Sequence, residues 1–223
     1  IKAFEYVREK IENDIQRVKD RIKIEVFNEE YENGTDGDRA IIDELVDQYF
    51  SVLNMELDTK EDGRLKDLSH NCIFGTDANP RMARTAKMNM IMHGDGHGGV
   101  HHHDGLLNVN GIFENRFDVI LTNPPFGSRV EKTLRITLAD KETNEEKIAE
   151  YEKKYGKEVY RKAMSQVNDN IGKSILSLYD SGKLSGLTEV LFIERCLRLL
   201  KPGGRLGIVL PEGVLNTTQL QSV

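Results

Sequence analysis

The sequence predicts a layered α/β protein whose chemistry lies where its strands end. Short apolar runs alternate with amphipathic helical patterns, an order typical of sheets covered by helices. Two of these runs lead into an aspartate, Asp77 and Asp104, and a third leads into Asn-Pro-Pro-Phe at residues 123–126. Because ligands bind outside the carboxyl ends of the strands in open α/β sheets, we expect the functional groups to gather there.

Two amphipathic helices are predicted before the first strand. Apolar residues recur at steps of three and four from Phe4 to Ile22, which predicts a helix from the start of the chain to about Phe27. Asp38 is predicted to cap a second helix. The apolar side of that helix is expected to contain Ile42, Leu45, Val46, Tyr49 and Leu53. Both helices are expected to cover a sheet.

The first predicted strand, Cys72 to Asp77, ends in an acid. A helix is predicted to begin next, with Asn79 as its N-cap and Pro80 in its first turn, which is the preferred order of these residues. Gly94 is predicted to end this helix. The predicted apolar face of this helix consists of Met82, Ala86 and Met90. A carboxylate at such a strand end can accept hydrogen bonds from ribose hydroxyls, although a solvated turn residue gives the same pattern.

The next predicted strand contains three adjacent histidines, residues 101–103, and leads into Asp104. On a strand only His101 and His103 share a face, so the pattern does not predict a metal site. Asp104 is the residue of interest, because a carboxylate at this strand end can accept a hydrogen bond from an adenine amino group.

The run Phe117–Thr122 predicts a strand that ends at Asn123-Pro124-Pro125-Phe126. Prolines fix φ and lack an N–H donor, while their carbonyls can still accept hydrogen bonds. A polar amide, two rigid residues and an aromatic ring can therefore hold an exocyclic amino group between two acceptors and stack on its ring. A proline-rich strand terminator without chemistry fits the tetrapeptide alone equally well.

Residues 127–187 interrupt the alternation with a charged insertion rich in Lys and Glu. Two interpretations stay open, a solvated insertion with one or two helices and a flap that closes over substrate. Thr188 is then predicted to cap a helix whose apolar face is Val190, Ile193, Leu197 and Leu200. Lys201-Pro202-Gly203-Gly204 is predicted to stop this helix before a buried strand at residues 205–211.

Composition narrows the classes of function. The 223 residues carry a net charge of −6, which argues against non-specific nucleic-acid binding by the whole chain but not against a local basic groove. No apolar run is long enough to span a membrane. Cys72 and Cys196 are expected to be buried thiols of a cytoplasmic protein. Residues 1–223 are most simply one domain.

Taken together, the motifs resemble S-adenosylmethionine-dependent amino-methyltransferases. The closest resemblance is to the N6-adenine DNA methyltransferases that form the modification subunit of type I restriction–modification systems. The matching segments are GTDANP at 75–80, AKMNMIMHG at 86–94, DGLL at 104–107, FDVILTNPPFG at 117–127, LLKPGGR at 199–205 and VLPEGVL at 209–215. The resemblance implies a Rossmann-like sheet with helices on both faces. It also implies S-adenosylmethionine as cofactor, DNA as substrate, and the specificity and restriction subunits as partners.

The resemblance also assigns roles to individual residues. Asp77 would hold the ribose hydroxyls of the cofactor and Asp104 its adenine amino group, with Leu106 a weaker candidate for packing nearby. The residues implied in catalysis are Asn123, Pro124, Pro125 and Phe126. The amide and the first proline carbonyl of this tetrapeptide would accept hydrogen bonds from the target N6, while the phenyl ring would stack on the flipped adenine.

One departure from the family's pattern leads to a further expectation. The family carries a first strand and a Gly-rich cofactor loop before the acidic strand end, and no such pattern occurs between Ile1 and Asp77. We therefore expect the chain to be a fragment that lacks this strand and binds cofactor weakly or not at all. Two alternatives stay open, a methyltransferase for RNA or protein glutamine and a non-catalytic adenosyl-binding or assembly module.

Overall fold

The computed structural model describes residues 1–59, 62–94, 96, 98–184 and 186–215. The helices are α1 (Lys2–Val26), α2 (Glu29–Asn33), α3 (Asp36–Met55), α4 (Arg64–Asp67), α5 (Pro80–Met92), α6 (Glu145–Tyr155), α7 (Lys157–Asn168), α8 (Asp180–Leu184), α9 (Thr188–Leu199) and α10 (Glu212–Leu215). The strands are β1 (Gly75–Asp77), β2 (Val100–His102), β3 (Phe117–Thr122) and β4 (Leu200–Ile208). The chain divides into two compact units, unit 1 with Ile1–Gly75 and Pro80–Val100 and unit 2 with Thr76–Asn79 and His101–Val223.

Unit 1 is built on α1, whose apolar residues repeat with the helical period and confirm the predicted helix. Its main apolar cluster consists of Phe4, Ile11, Ile15, Leu65, Leu68 and Met90. These residues come from helical segments, so α1 packs mainly on other helices. The prediction that it covers a sheet is therefore wrong. Helix α3 buries Val46, but Leu45 and Tyr49 of its predicted apolar side are 49% and 64% exposed.

Helix α3 begins earlier than predicted because Thr35, not Asp38, is its N-cap. The Thr35 hydroxyl oxygen accepts a hydrogen bond from the Asp38 N–H at 3.2 Å. The Asp38 carboxylate accepts one from the Thr35 N–H at 3.3 Å. This reciprocal arrangement is a capping box, which satisfies two backbone amides at once.

Strand β1 is shorter than the predicted strand, because Leu68–Cys72 continue α4 as a π-helical turn. Within this turn the Asn71 side chain donates a hydrogen bond to the Asp67 carboxylate at 2.6 Å. Cys72 is consequently exposed, which corrects the expected buried thiol. Cys196 in α9 is buried as predicted, and this burial raises the pKa of its thiol to about 11.

Helix α5 begins at Pro80 as predicted. The chain leaves the helix at Gly94, whose φ of +89° lies in the left-handed region that suits glycine. Of the predicted apolar face only Met90 is buried, since Met82 and Ala86 are exposed and Ala83 is buried in their place. Ala83 and Met90 lie two helical turns apart, so both face the core of unit 1.

In unit 2, β3 occupies the predicted residues and pairs in parallel with β4. Strand β4 lies earlier in the chain than the predicted strand at 205–211. Leu200 is aligned with Phe117 and Arg205 with Val119, so the four residues between Leu200 and Arg205 bulge out of the strand. Gly203, with a φ of +82°, allows the turn within this bulge.

The charged insertion at 127–187 is packed into the core of unit 2 and is not solvated throughout. Its contributions to the largest apolar cluster are Ile136, Val167, Ile175, Leu176 and Tyr179. They pack with Leu106 and Leu107, which follow β2, and with Leu191 of α9. Much of the insertion is therefore structural, and a flap-like motion of its exposed parts stays a prediction.

The structure confirms the α/β class. Strands β1 and β2 form one two-stranded sheet, and β3 and β4 form another. The predicted Rossmann-like sheet is not shown by the residues that the structure describes. Among these residues, no helix is both long and apolar enough to cross a membrane.

Candidate functional site

The Asn-Pro-Pro-Phe segment, residues 123–126, leaves the sheet at the carboxyl end of β3. Thr122 is aligned with Ile208 of β4, and its carbonyl accepts a hydrogen bond from the Val209 N–H at 3.1 Å. Within the segment Pro124 is buried, and the exposed residues are Asn123, Pro125 and Phe126. A buried proline thus anchors a segment whose amide and aromatic ring remain at the surface of unit 2.

The residues after this segment are held by the N-terminus of α9. Gly127, with a φ of +68°, donates its N–H to Glu189 Oε1 at 2.5 Å. The Ser128 carbonyl accepts hydrogen bonds from the N–H and the hydroxyl of Thr188 at 3.0 and 3.1 Å. Thr188 therefore binds this loop and does not cap α9 as predicted, since Leu187 occupies the N-cap position.

The two aspartates predicted to bind the cofactor lie at paired strand ends. The carbonyl of Asp77, the last residue of β1, accepts a hydrogen bond from the His103 N–H at 3.1 Å, and Asp104 follows directly. Asp77 Oδ1 accepts from the Asn79 N–H at 2.8 Å, and Asp104 Oδ1 accepts from the Leu106 N–H at 2.9 Å. The structure thus places both residues where β1 and β2 end, and an amide of its own turn holds each carboxylate.

Leu106 belongs to the core of unit 2, where it is only 2% exposed. Its carbonyl accepts a hydrogen bond from the Tyr179 hydroxyl. Burial raises the pKa of Tyr179 to about 12, so this hydroxyl keeps its proton and donates it at neutral pH. Leu106 therefore anchors the loop after β2 through its side chain and carbonyl, and its packing against a cofactor stays a prediction.

Arg195 of α9 binds the loop that follows β2, and the sequence analysis did not predict this role. Its guanidinium, 1% exposed, donates to the carbonyls of Gly105 and Leu107 at 3.1 and 2.8 Å. It also donates to Asn108 Oδ1 at 2.6 Å and lies 3.5 Å from Glu114 Oε1. Arg195 thus fixes the backbone of the loop that follows β2.

A signal for such buried charges is present in α9, which carries apolar residues on every side. Apolar residues on several sides of a helix indicate contacts on more than one face, so the charged residues between them can be buried too. Glu189, Glu194 and Arg195 are 2%, 8% and 1% exposed. Because a buried charge requires hydrogen-bond partners, these side chains bind the polar groups of the loops around the helix.

Glu194 holds the N-terminus of α8. Its carboxylate accepts hydrogen bonds from the N–H groups of Asp180 and Ser181 at 3.0 and 2.9 Å, and from the Ser181 hydroxyl at 2.5 Å. It also forms an ion pair with Arg198. Burial by itself raises the pKa of Glu194, but the hydrogen bonds and the Arg198 charge outweigh it, so the pKa lies below its ordinary value.

We expect the stabilising effect of the Glu194 carboxylate to depend on pH. Because its folded-state pKa is lowered, the effect is complete above the unfolded-state pKa of about 4.3 and is lost as pH falls through the folded-state value. The difference in free energy of unfolding between wild type and Glu194→Gln should therefore be largest near neutral pH. Urea denaturation at neutral pH and at about pH 3.5 measures this difference.

The control for this experiment is Glu158→Gln, because Glu158 is an exposed glutamate in the first turn of α7. We expect this variant to differ from the wild type at neutral pH by at most about 1 kcal/mol. A Glu194→Gln difference that is unchanged on acidification would show that the carboxylate's charge does not stabilise the fold.

The histidines at 101–103 include two that contact backbone carbonyls. Nε2 of His102 lies 3.1 Å from the Ala78 carbonyl. The ring nitrogens of His103 each lie 3.2 Å from a carbonyl, Nδ1 from that of Asp104 and Nε2 from that of Asp140. In the part of the chain that the structure describes, no group of three or more His, Cys, Asp or Glu side chains could hold a metal ion.

The chemistry of Asp77 and Asp104 fits the nucleoside part of S-adenosylmethionine. Each carboxylate uses Oδ1 for a backbone amide and has a second oxygen with further capacity to accept hydrogen bonds. Ribose hydroxyls and the adenine amino group are donors that match such acceptors. Local amides already orient both carboxylates.

Comparison with known proteins identifies the family. The N-6 DNA methylase family matches residues 50–173, more than half of the chain. The matched region includes β1, β2 and β3, both aspartates and the Asn-Pro-Pro-Phe segment. No curated protein and no solved structure matches the chain. The chain therefore belongs to the N-6 DNA methylase family, whose members are DNA methyltransferases that use S-adenosylmethionine.

Proposed function

We propose that this protein transfers a methyl group from S-adenosylmethionine to the N6 amino group of adenine in DNA. We also propose that it is the modification subunit of a type I restriction–modification system, with specificity and restriction subunits as partners. The observation that carries the proposal is the exposed Asn-Pro-Pro-Phe segment at the carboxyl end of β3, in a chain of the N-6 DNA methylase family.

The Asn123 side chain and the Pro124 carbonyl are the two acceptors that this reaction requires. The amino group of adenine is a poor nucleophile because its lone pair is delocalised into the ring. Two acceptors that draw its hydrogens out of the ring plane localise the lone pair and direct it toward the methyl donor. The buried ring of Pro124 and the paired strand before Asn123 hold both acceptors in place.

Phe126 is suited to stack on the target base, because its side chain is 50% exposed beside these acceptors. Adenine inside a duplex must first rotate out of the base stack, which costs a few kcal/mol. Stacking of a base on an aromatic side chain contributes about 1–3 kcal/mol. The Phe126 ring therefore offsets much of the cost of flipping the base.

Asp77 and Asp104 are the residues that would hold the cofactor, the first through its ribose hydroxyls and the second through its adenine amino group. When bound, S-adenosylmethionine supplies a methyl group that its sulfonium centre activates. The two carboxylates orient the nucleoside while the Asn-Pro-Pro-Phe segment orients the target amine. A Rossmann-like sheet remains part of this proposal.

Three basic residues after the segment support DNA as the substrate. Arg129, Lys132 and Arg135 are exposed and lie within nine residues of Phe126. Positive side chains bind DNA phosphates and position the duplex, but they do not read its sequence. The overall charge of −6 is consistent with partner subunits that supply most of the DNA affinity.

Transfer of radiolabelled methyl groups from S-adenosylmethionine to DNA tests the proposal. We expect the full-length protein, assayed with its specificity subunit, to label unmodified DNA and not DNA that it has already modified. Digestion of the product should place the label in N6-methyladenine. Label in cytosine, or in RNA or a protein glutamine in place of DNA, would contradict the proposal, as would the absence of transfer.

A further inference from the structure

Helix α9 contacts the two loops of the proposed active site at different turns. In its first turn, Glu189 and Thr188 bind Gly127 and Ser128, directly after the Asn-Pro-Pro-Phe segment. Further along, Arg195 binds the loop that follows β2. Glu189 and Arg195 are separated by about 9 Å along the axis of an α-helix. One rigid helix therefore sets the spacing between the residues that follow the Asn-Pro-Pro-Phe segment and the loop that follows β2.

Phe192 lies between these contacts and packs closely on Gly105. A Cβ atom at Gly105 would lie 3.1 Å from Phe192 Cζ and 3.4 Å from Thr76 Oγ1. A side chain at this position would be tight against the Phe192 ring, which would have to shift by a few tenths of an ångström to admit it. The glycine thus allows the close approach on which the helix-to-loop spacing depends.

Glu189 is an unexpected residue at its position, because it is a buried carboxylate with few partners. It is 2% exposed, and its Oε1 accepts the hydrogen bond from Gly127. Its Oε2 has no hydrogen-bond partner among the residues that the structure describes. Since burial of an incompletely paired carboxylate is costly, a contribution to stability does not by itself account for Glu189.

The Asn-Pro-Pro-Phe segment depends on its two ends for its position. Pro124 and Pro125 lack N–H groups, so the segment cannot be held by backbone donors at these residues. Its upstream end is held by the pairing of β3 with β4. Its downstream end is held at Gly127, whose φ of +68° turns the chain immediately after Phe126.

We propose that Glu189 is a positioning residue for methyl transfer and acts through the backbone amide of Gly127. This inference rests on the proposed function. The carboxylate holds the turn at Gly127 and thereby fixes the Phe126 ring and the carbonyls that precede it. Misplacement of reacting groups by about 1 Å can lower a rate by about 100-fold. Glu189 performs this role as a hydrogen-bond acceptor, and its charge is not required.

Glu189→Ala is expected to lower kcat for DNA methylation by about 10- to 100-fold, while KM for S-adenosylmethionine stays near the wild-type value. Glu189→Gln retains an acceptor oxygen for Gly127 and should keep most of the wild-type kcat. The matched control is Glu158→Ala, which removes an exposed first-turn glutamate from α7 and should behave as the wild type. Equal losses in the Ala and Gln variants of Glu189 would contradict the proposal, as would a loss that appears only in KM.

Amide hydrogen exchange tests the same inference without an activity measurement. A peptide covering residues 123–130 should exchange faster in Glu189→Ala than in the wild type. The Glu189→Gln and Glu158→Ala variants should exchange at the wild-type rate. If the wild type methylates no DNA, the proposed function fails, but faster exchange confined to this peptide still supports the positioning role. Unchanged exchange in Glu189→Ala overturns that role, whether or not methylation is observed.

Discussion

Asn123→Ala is expected to lower the rate constant for methyl transfer to adenine by about 100- to 1000-fold, the range found when one preorganised hydrogen-bond partner of a transition state is removed. In the proposed mechanism the substitution removes one of the two acceptors that localise the lone pair of the amino group. Asn123 is exposed, so the alanine should not destabilise the fold. A single-turnover methylation assay measures the effect on the chemical step, and thermal unfolding checks that the variant remains folded.

Two further variants sharpen this experiment. Asn123→Asp keeps an acceptor oxygen at the same position and should lose less activity than the alanine variant. Asn13→Ala removes an exposed asparagine from α1 and should retain the wild-type rate. A rate for Asn123→Ala within about threefold of the wild type, a difference of less than 1 kcal/mol, would exclude Asn123 from the catalytic machinery.

Arg195→Met is expected to lower the free energy of unfolding by about 3–5 kcal/mol, the range for removal of one partner from a buried charge network. Methionine has a similar length, so the change removes mainly hydrogen bonds. The fully buried Asn108 side chain and the carbonyls of Gly105 and Leu107 would lose their donor. Glu114 is 32% exposed, so water can partly replace its lost contact. Urea denaturation at neutral pH measures the change.

Arg161→Met is the matched control for this experiment. Arg161 is 63% exposed and pairs with Glu152 on the surface of unit 2. Exposed ion pairs of this kind contribute at most about 1 kcal/mol. If the hydrogen bonds of Arg195 do not hold the loop after β2, Arg195→Met should destabilise the protein by no more than Arg161→Met does. Equal losses of unfolding free energy in the two variants would therefore contradict this role of Arg195.

Several elements could be predicted because their signals are local. Strand β3 was predicted correctly, since a six-residue run rich in β-branched and aromatic residues and ended by Asn-Pro-Pro is too short for a helix. Helix α1 could be predicted because apolar residues recur along it at steps of three and four. The start of α5 could be predicted because proline is favoured in the first turn of a helix, and α5 begins at Pro80. Each of these features depends on residues that are neighbours along the chain.

Helix α9 shows why other features could not be predicted. Its periodicity placed Leu197 on the apolar face and made Thr188 a cap. In the structure Leu197 is 53% exposed and Thr188 binds Ser128. Charged residues of α9 are buried together with its apolar ones, so periodicity does not show which faces are buried, and their polar partners lie in distant loops.

Local chemistry alone determined the α/β class, the strand ends that carry Asp77 and Asp104, and the acceptors and aromatic ring of the Asn-Pro-Pro-Phe segment. Only the folded chain decided what holds that segment and the loop that follows β2. Glu189 binds Gly127 from 62 residues away, and Arg195 binds Gly105 from 90 residues away. A hydrogen bond between distant residues leaves no spacing pattern in either segment, so it becomes visible only when packing brings its donor and acceptor together.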